Sequence, residues 1–214
     1  MKFEEIKKRV IGYQEAGKRI FTTSSFQSHS IVLLHILSRI DRDIPVYFIN
    51  TGYHFPETID FRDQITDLLG LNTRDVKPAT PKYMQRDALG KLLFTSDPDH
   101  CCFLNKTLPL ENIMRSHDVW INGIRRDQSS FRQELKIEQD APHDVLRFHP
   151  LLDWNSKDIF YYRKEYNLPA HPLEEKGYLS IGCEPCTRKI DPEMQEREAR
   201  WFGLNKTECG LHTE

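Results

Sequence analysis

Three features of the sequence predict an α/β fold on a mostly parallel, twisted sheet with helices on both faces. Short β-branched or aromatic runs alternate with longer helical patterns through residues 19–76. Polar loops follow the first two runs. A further run at residues 118–122 feeds another polar loop, well down the chain. Strand–helix alternation means parallel neighbours joined by helical crossovers. Ligands of such sheets bind beyond the carboxyl ends of the strands.

Taken in order, residues 2–16 carry Phe3, Ile6, Val10 and Ile11 at helical spacing among charges, the pattern of an amphipathic helix. Residues 19–23 are a short strand running into Ser24-Ser25-Phe26-Gln27-Ser28-His29-Ser30, and residues 31–40 are apolar and long enough for a buried helix. A second strand at 45–50 (PVYFIN) leads through Thr51, Gly52 and Tyr53 to a helix at about 56–69, then a third strand at 73–76. The loops at 24–30, 51–53 and 123–128 therefore converge on one crevice. Asn155 or Ser156 caps a helix reaching about residue 165, and Pro169 and Pro172 break the chain after it. Residues 177–189 are loop-rich. Residues 192–202 are charged and helical, with Arg197 and Arg200 on one face. The last dozen residues lack a period and read as a mobile tail. No internal repeat or low-complexity linker interrupts the chain.

At 214 residues, with 38% hydrophobic and 29% charged side chains, the chain suits one domain with a sizeable core, with or without a small appendage. A formal net charge of −2 provides no global field for nucleic acid, so any anion must be bound by local basic clusters. No apolar stretch approaches the roughly 20 residues that span a bilayer. The N-terminal residues lack the apolar core of a signal peptide. The expectation is a cytoplasmic protein with no membrane partner.

Five cysteines carry most of the chemical information. Cys101 and Cys102 are adjacent, Cys183 and Cys186 form a C-x-x-C pair, and Cys209 stands alone. Without an export signal, metal or redox chemistry is favoured over disulfide stapling. Two close pairs match a four-thiolate metal site, which leaves structural zinc and an iron–sulfur cluster as candidates. Zinc usually takes two C-x-x-C knuckles. Adjacent cysteines suit a cluster better, because each thiolate can bind a different iron. If residues 101–106 are helical, Lys106 shares a face with Cys102, where its charge can act on a cluster or a substrate anion. Cys209 has Lys206, Gly210 and His212 nearby, a setting for a thiolate nucleophile or for an idle terminal cysteine. The serine loop lies where helix N–H groups and hydroxyls hold phosphate, or serves only as a cap. It has neither G-x-G-x-x-G nor the P-loop pattern. Arginines 125, 126, 132, 197 and 200 are possible bidentate partners for phosphate and sulfate. The histidines show no ligand or triad spacing.

Several segments, in order along the chain, together resemble the adenylyl sulfate and phosphoadenylyl sulfate reductase family. They are T-S-S-F at Thr23, N-T-G-Y-H-F-P-E-T at Asn50, C-C-F-L-N-K at Cys101 and G-I-R-R-D-Q-S at Gly123. Next come G-Y-L-S-I-G-C-E-P-C-T-R at Gly177, E-R-E-A-R-W at Glu196 and K-T-E-C-G-L-H at Lys206. The resemblance implies an adenine-nucleotide α-hydrolase-like fold of the PP-loop type. It divides the chain into a nucleotide-binding reductase domain over residues 1–190 and a C-terminal helix and tail over 191–214. It implies that Cys209 attacks the sulfur of adenylyl sulfate, releasing AMP, and that thioredoxin or a similar dithiol then frees sulfite from the S-sulfocysteine. It casts Cys101, Cys102, Cys183 and Cys186 as ligands of a 4Fe–4S cluster, the set that separates the adenylyl sulfate branch from cluster-free relatives. Lys106 resembles a lysine linking cluster to substrate. Arg197 and Arg200 resemble anion contacts, Arg126 a further substrate contact. Ser24 and Ser25 fall on the phosphate side, Ile49 near the adenine, and Gly123 in the third binding loop. The chain departs from the family where its serine loop lacks glycine and acidic residues, where Asn50 replaces a usual aspartate, and where Asn105 replaces a frequent arginine. The alternatives are a reductase preferring or also accepting the 3′-phosphorylated nucleotide, a zinc-containing nucleotide-binding protein without turnover, and an ATP-dependent thiolation enzyme. The last fits poorly, because the loop lacks the glycines and aspartate that cradle pyrophosphate. A homo-oligomer is compatible with the sequence.

Overall fold

In the computed structural model, which describes residues 1–191, 193 and 198–201, the expected alternation is present. Helix α1 (Phe3–Glu15) precedes β1 (Ile20–Thr23); α2 (Ser30–Ser38) leads to β2 (Pro45–Ile49), and α3 (Pro56–Leu69) to β3 (Asn72–Val76). A long excursion carries α4 (Leu93–Ser96), α5 (Pro98–Cys102) and α6 (Leu108–Met114) before β4 (Val119–Ile121). The short helix α7 (Ser130–Gln133), the strands β5 (Glu138–Ala141) and β6 (Val145–Phe148), and α8 (Ser156–Glu165) complete the regular elements. The six strands lie in the order β3-β2-β1-β4-β6-β5. Every neighbouring pair is parallel except β5 with β6. Strand order reverses at β1, since β2 and β3 follow on one side and β4 starts the other. That makes the carboxyl ends of β1 and β4 the switch point where ligands bind.

Period-two alternation divides the strand side chains between two faces. On one face Ile20, Val119 and Ile121 pack with Ile6 and Val10 of α1, Val32, Leu33 and Ile36 of α2, and Ile159 of α8. Val46 and Phe48 meet Phe61, Ile65 and Leu69 of α3 in a second cluster that shares α2. The intervening residues Phe21, Ile49 and Trp120 pack with Leu110, Ile113 and Met114 of α6. Helices thus cover both faces, as the sequence predicts. Helix α2 is buried along nearly its whole length, in keeping with its unbroken apolar run. Pro56 opens α3, and Gly70 closes it in the left-handed region at φ 62°.

Two features depart from the expectation. The antiparallel β5–β6 hairpin is not evident in the sequence. β5 reads EQDA and is only partly buried, so it lacks the apolar alternation that marks a strand. The conditional helix through residues 101–106 breaks register. After α5, residues Phe103–Thr107 form a π-helical turn in which the Leu108 N–H donates to the Phe103 carbonyl, five residues back. Pro109 follows and has no N–H to continue an α ladder, so widening the turn relieves the clash its ring would make.

Candidate active site

A crevice opens at the switch point. Its wall includes Ser24, Ser25, Ile49, Lys106, Gly123 and Arg200, six of the eight residues expected to touch substrate, together with Cys183. The serine loop is tied to itself and to the far wall. Ser24 Oγ accepts from the Phe26 N–H at 3.0 Å, Ser25 Oγ lies 3.1 Å from Ser30 Oγ, and Gln27 Oε1 accepts from the Ile181 N–H at 2.9 Å. Phe26 holds φ 52° at this turn. Its ring is fully buried edge-on against Phe48, so packing offsets the left-handed backbone.

The two cysteine pairs approach each other beside the crevice, with Cys183 in its wall. Cys101, Cys102 and Cys183 are buried and Cys186 is half-buried, and none of the four is in a disulfide. Cys183 is brought in by a bridge to His54 and by the Glu184 N–H donating to the Tyr53 carbonyl at 2.7 Å. Thr51 Oγ1 lies 3.3 Å from Cys183 Sγ. Burial pushes the Cys101 thiol up to about 12; Cys102, Cys183 and Cys186 add to the rise and Lys106 opposes it. Burial also raises Cys186, with Cys183 adding and Lys106 and Arg200 among the opposing charges. Each pair therefore feels the other. Among the described residues no three His, Cys, Asp or Glu side chains form a site for a single metal ion.

Asn105, the departure beside Lys106, exchanges two hydrogen bonds with Gln85, at 2.6 and 2.9 Å. Its Nδ2 also donates to the Cys101 carbonyl at 2.8 Å and approaches Cys101 Sγ at 3.5 Å. Asn50, the other departure, donates to Asp75 at 2.8 Å and accepts from the Gly52 N–H at 3.1 Å, joining the ends of β2 and β3.

Arg200 reaches the crevice because residues 199–201 run antiparallel to 186–188. The Arg188 N–H donates to the Ala199 carbonyl at 3.1 Å and the Trp201 N–H to the Cys186 carbonyl at 3.0 Å. The Arg200 guanidinium lies over the Trp201 ring at 4.6 Å and is pressed against Gly182, where a Cβ would collide with it. It is buried, and its Nε has no hydrogen-bond partner among the described residues. A buried guanidinium with donor capacity left over suits an anionic ligand.

Arg126 stands apart from the crevice wall. Its guanidinium donates to Asp153 at 2.8 Å and to the carbonyls of Gln133 and Leu135 at 3.0 and 2.6 Å. Arg132, one of five arginines singled out by composition, lines the crevice instead and contacts Gln128. Arg125 is fully buried and bonds Asp127 at 2.9 Å and Ser156 at 3.2 Å, tying the loop after β4 to α8. Two residues in the wall are given no role by the sequence. His54 lies 3.0 Å from the Ile49 carbonyl through Nε2, and burial lowers it to about 4, which keeps the ring neutral. Asn122 ends β4. Arg197 and Cys209 lie outside the described residues, as does most of the expected segment 191–214. Among the described residues no helix is long and apolar enough to cross a membrane.

Comparison with known proteins bears on this arrangement. The phosphoadenosine phosphosulfate reductase domain family matches residues 19–189. The adenosine 5'-phosphosulfate reductase of Chelativorans sp. (strain BNC1) is 40% identical over 194 residues, covering 90% of this chain and 78% of that protein. Its counterpart in Bacillus velezensis is 35% identical over 202 residues, covering 94% and 87%. The crystal structure of phosphoadenylyl-sulfate reductase from Candida auris, a phosphate complex, superposes with a TM-score of 0.68 at 22% identity. That match covers 85% of this chain and 94% of the other, so the two share a fold.

Proposed function

The chain belongs to the phosphoadenosine phosphosulfate reductase domain family, and from that membership we propose that it reduces adenosine 5'-phosphosulfate to sulfite and AMP in sulfate assimilation. The observation that carries this reading is the switch-point crevice itself, where the buried cations Lys106 and Arg200 stand with Cys183, whose three partner cysteines lie close by. Lys106 opposes the rise in Cys101 and Cys186, so its charge acts on the sulfurs while its side chain lines the crevice. An anion bound there is held by Lys106 and Arg200, with the nucleotide's phosphate at Ser24 and Ser25 and its base toward Ile49 and Gly123.

In this reading the Cys209 thiolate attacks the sulfate sulfur. A sulfur–sulfur bond forms, the bond from that sulfur to the AMP oxygen breaks, and AMP leaves with the electron pair. A dithiol such as thioredoxin then attacks Cys209 Sγ. Sulfite departs with the bonding pair, and the second thiol of the donor restores Cys209 as the donor becomes a disulfide. The dithiol supplies both electrons. Trp201 donates to the Cys186 carbonyl, and Cys209 follows eight residues later in the sequence, outside the described residues. Lys106 and Arg200 stabilise the negative charge that builds on the departing AMP oxygen as the sulfur–oxygen bond breaks.

Cys101, Cys102, Cys183 and Cys186 would hold a 4Fe–4S cluster. The donor set fits, because all four are thiols, mostly buried and mutually coupled, and the adjacent pair can serve different irons. Such a cluster would tie residues 101–102 to 183–186 and fix the charge environment around Lys106. Arg126 is engaged in structural bonds, and Arg132 takes its place in the proposed contact set. Anaerobic purification with iron and acid-labile sulfide assays tests the metal. Mass spectrometry after substrate alone should show a sulfonate on Cys209 that thioredoxin removes. A colourless, one-zinc protein, or a label on another cysteine, defeats the corresponding part. Rates on both nucleotides test the substrate, and a preference for the 3′-phosphorylated form overturns the choice.

A further inference from the structure

We infer that the side-chain amide of Asn122 holds the ribose hydroxyls of the bound nucleotide. This rests on the crevice being a nucleotide site, as proposed above. Asn122 is 3% exposed, follows the last residue of β4 and forms part of the crevice wall. Its backbone N–H is satisfied by the Phe148 carbonyl at 3.0 Å. Its side chain is not: neither Nδ2 nor Oδ1 has a hydrogen-bond partner among the described residues. A buried amide missing every bond is a standing cost to the empty protein, and such groups are ordinarily paired. Because both atoms are unpaired, exchanging the assigned oxygen and nitrogen would change nothing.

The sheet register indicates which part of a nucleotide comes here. Thr22 pairs with Ile121, so Asn122 stands beside Thr23, one residue before the serine loop, and one residue before Gly123. Phe48 and Ile49 lie on the far side of β1, at the end of β2, and offer an apolar surface for a flat base. Lys106 and Arg200 attract the charged end. A polar but uncharged group belongs between them. Vicinal hydroxyls each donate and accept, which matches an amide with two donors and one acceptor oxygen. A 3′-phosphate only accepts at neutral pH, so the 2′-hydroxyl alone could still donate to Oδ1 and the vicinal pair that matches the amide would be lost. The same amide therefore favours the 3′-hydroxyl nucleotide.

The test is equilibrium binding to the full chain, purified anaerobically, using AMP and 2′,3′-dideoxy-AMP as probes. Asn122→Leu should weaken AMP by about ten-fold, and wild type should lose a similar factor on going to the dideoxy probe. The variant should bind the two probes alike. Asn122→Ser, which keeps a hydroxyl, should fall between. The nucleotide-free Leu variant should melt at or above the wild-type temperature, because two unpaired groups are removed. An unchanged AMP affinity overturns the inference. So does an equal loss for both probes, or a lowered melting temperature with affinity intact. Failure of wild type to bind AMP would instead sink the nucleotide reading itself.

Discussion

At Gly182 the absence of a side chain leaves the space that the Arg200 guanidinium occupies. Gly182→Ala should displace that guanidinium and raise KM by about ten-fold with a smaller change in kcat, the pattern of lost binding rather than lost chemistry. Steady-state kinetics on adenosine 5'-phosphosulfate decides it. Cys209→Ser should abolish sulfite release while the visible absorption of the proposed iron–sulfur cluster persists. Arg125 makes a structural case. Its buried charge is compensated by Asp127, and Arg125→Ala should cost about 3 kcal/mol in denaturant unfolding by stranding polar partners. Residue by residue, the sequence discloses types better than neighbours. The cysteine pairs are legible because two close pairs are rare by chance. The sequence equally suggests Arg126 and Arg132, and only the fold separates a guanidinium spent on Asp153 from one in the crevice wall. Asn122 is an ordinary asparagine until its lack of partners is seen.

The elements themselves rest on local chemistry that predicts how they fail. Arg19 donates through its backbone N–H and side chain to Asp118, joining the starts of β1 and β4 and holding that carboxyl at about 2. A carboxyl depressed in the fold stabilises above its unfolded value and loses that contribution as pH falls toward the folded one. Asp118→Asn should therefore flatten the decline in stability between about pH 4 and pH 2, read by thermal melts across that range. Asn155 accepts from the Lys157 and Asp158 N–H groups at the start of α8, and Asn155→Ala should cost about 1 kcal/mol. Strands β1, β2 and β4 were legible because their runs are apolar and followed by polar loops. β5 was not, because its stability comes from pairing with β6 rather than from its own pattern. The π turn also escaped, since a cysteine pair and a proline seven residues apart do not announce which register will prevail.

For the whole molecule, acid sensitivity should begin well above the carboxylate range. His149 and His171 are fully buried, and burial lowers each to about 4. His171 accepts from the Leu173 N–H through Nδ1 and meets Thr58 through Nε2, a neutral arrangement. The unfolded chain binds protons at these rings below about 6.5, so stability should decline between there and about 4. The slope is up to about 1.4 kcal/mol per pH unit for each ring. Unfolding of the wild type beside His171→Gln should show a shallower slope in the variant; parallel curves would exclude His171 as a source. The topology was legible as a class but not as an order, since nothing in a sequence states on which side of β1 the fourth strand lies. That order has one more consequence. The outermost strands are β3 and β5, and they carry Arg74, Asp75, Glu138 and Asp140. Charged lateral borders discourage a second chain from docking edge to edge. Copies of this protein that associate should avoid these two edges, and crowding alone should not draw the sheet out into fibres.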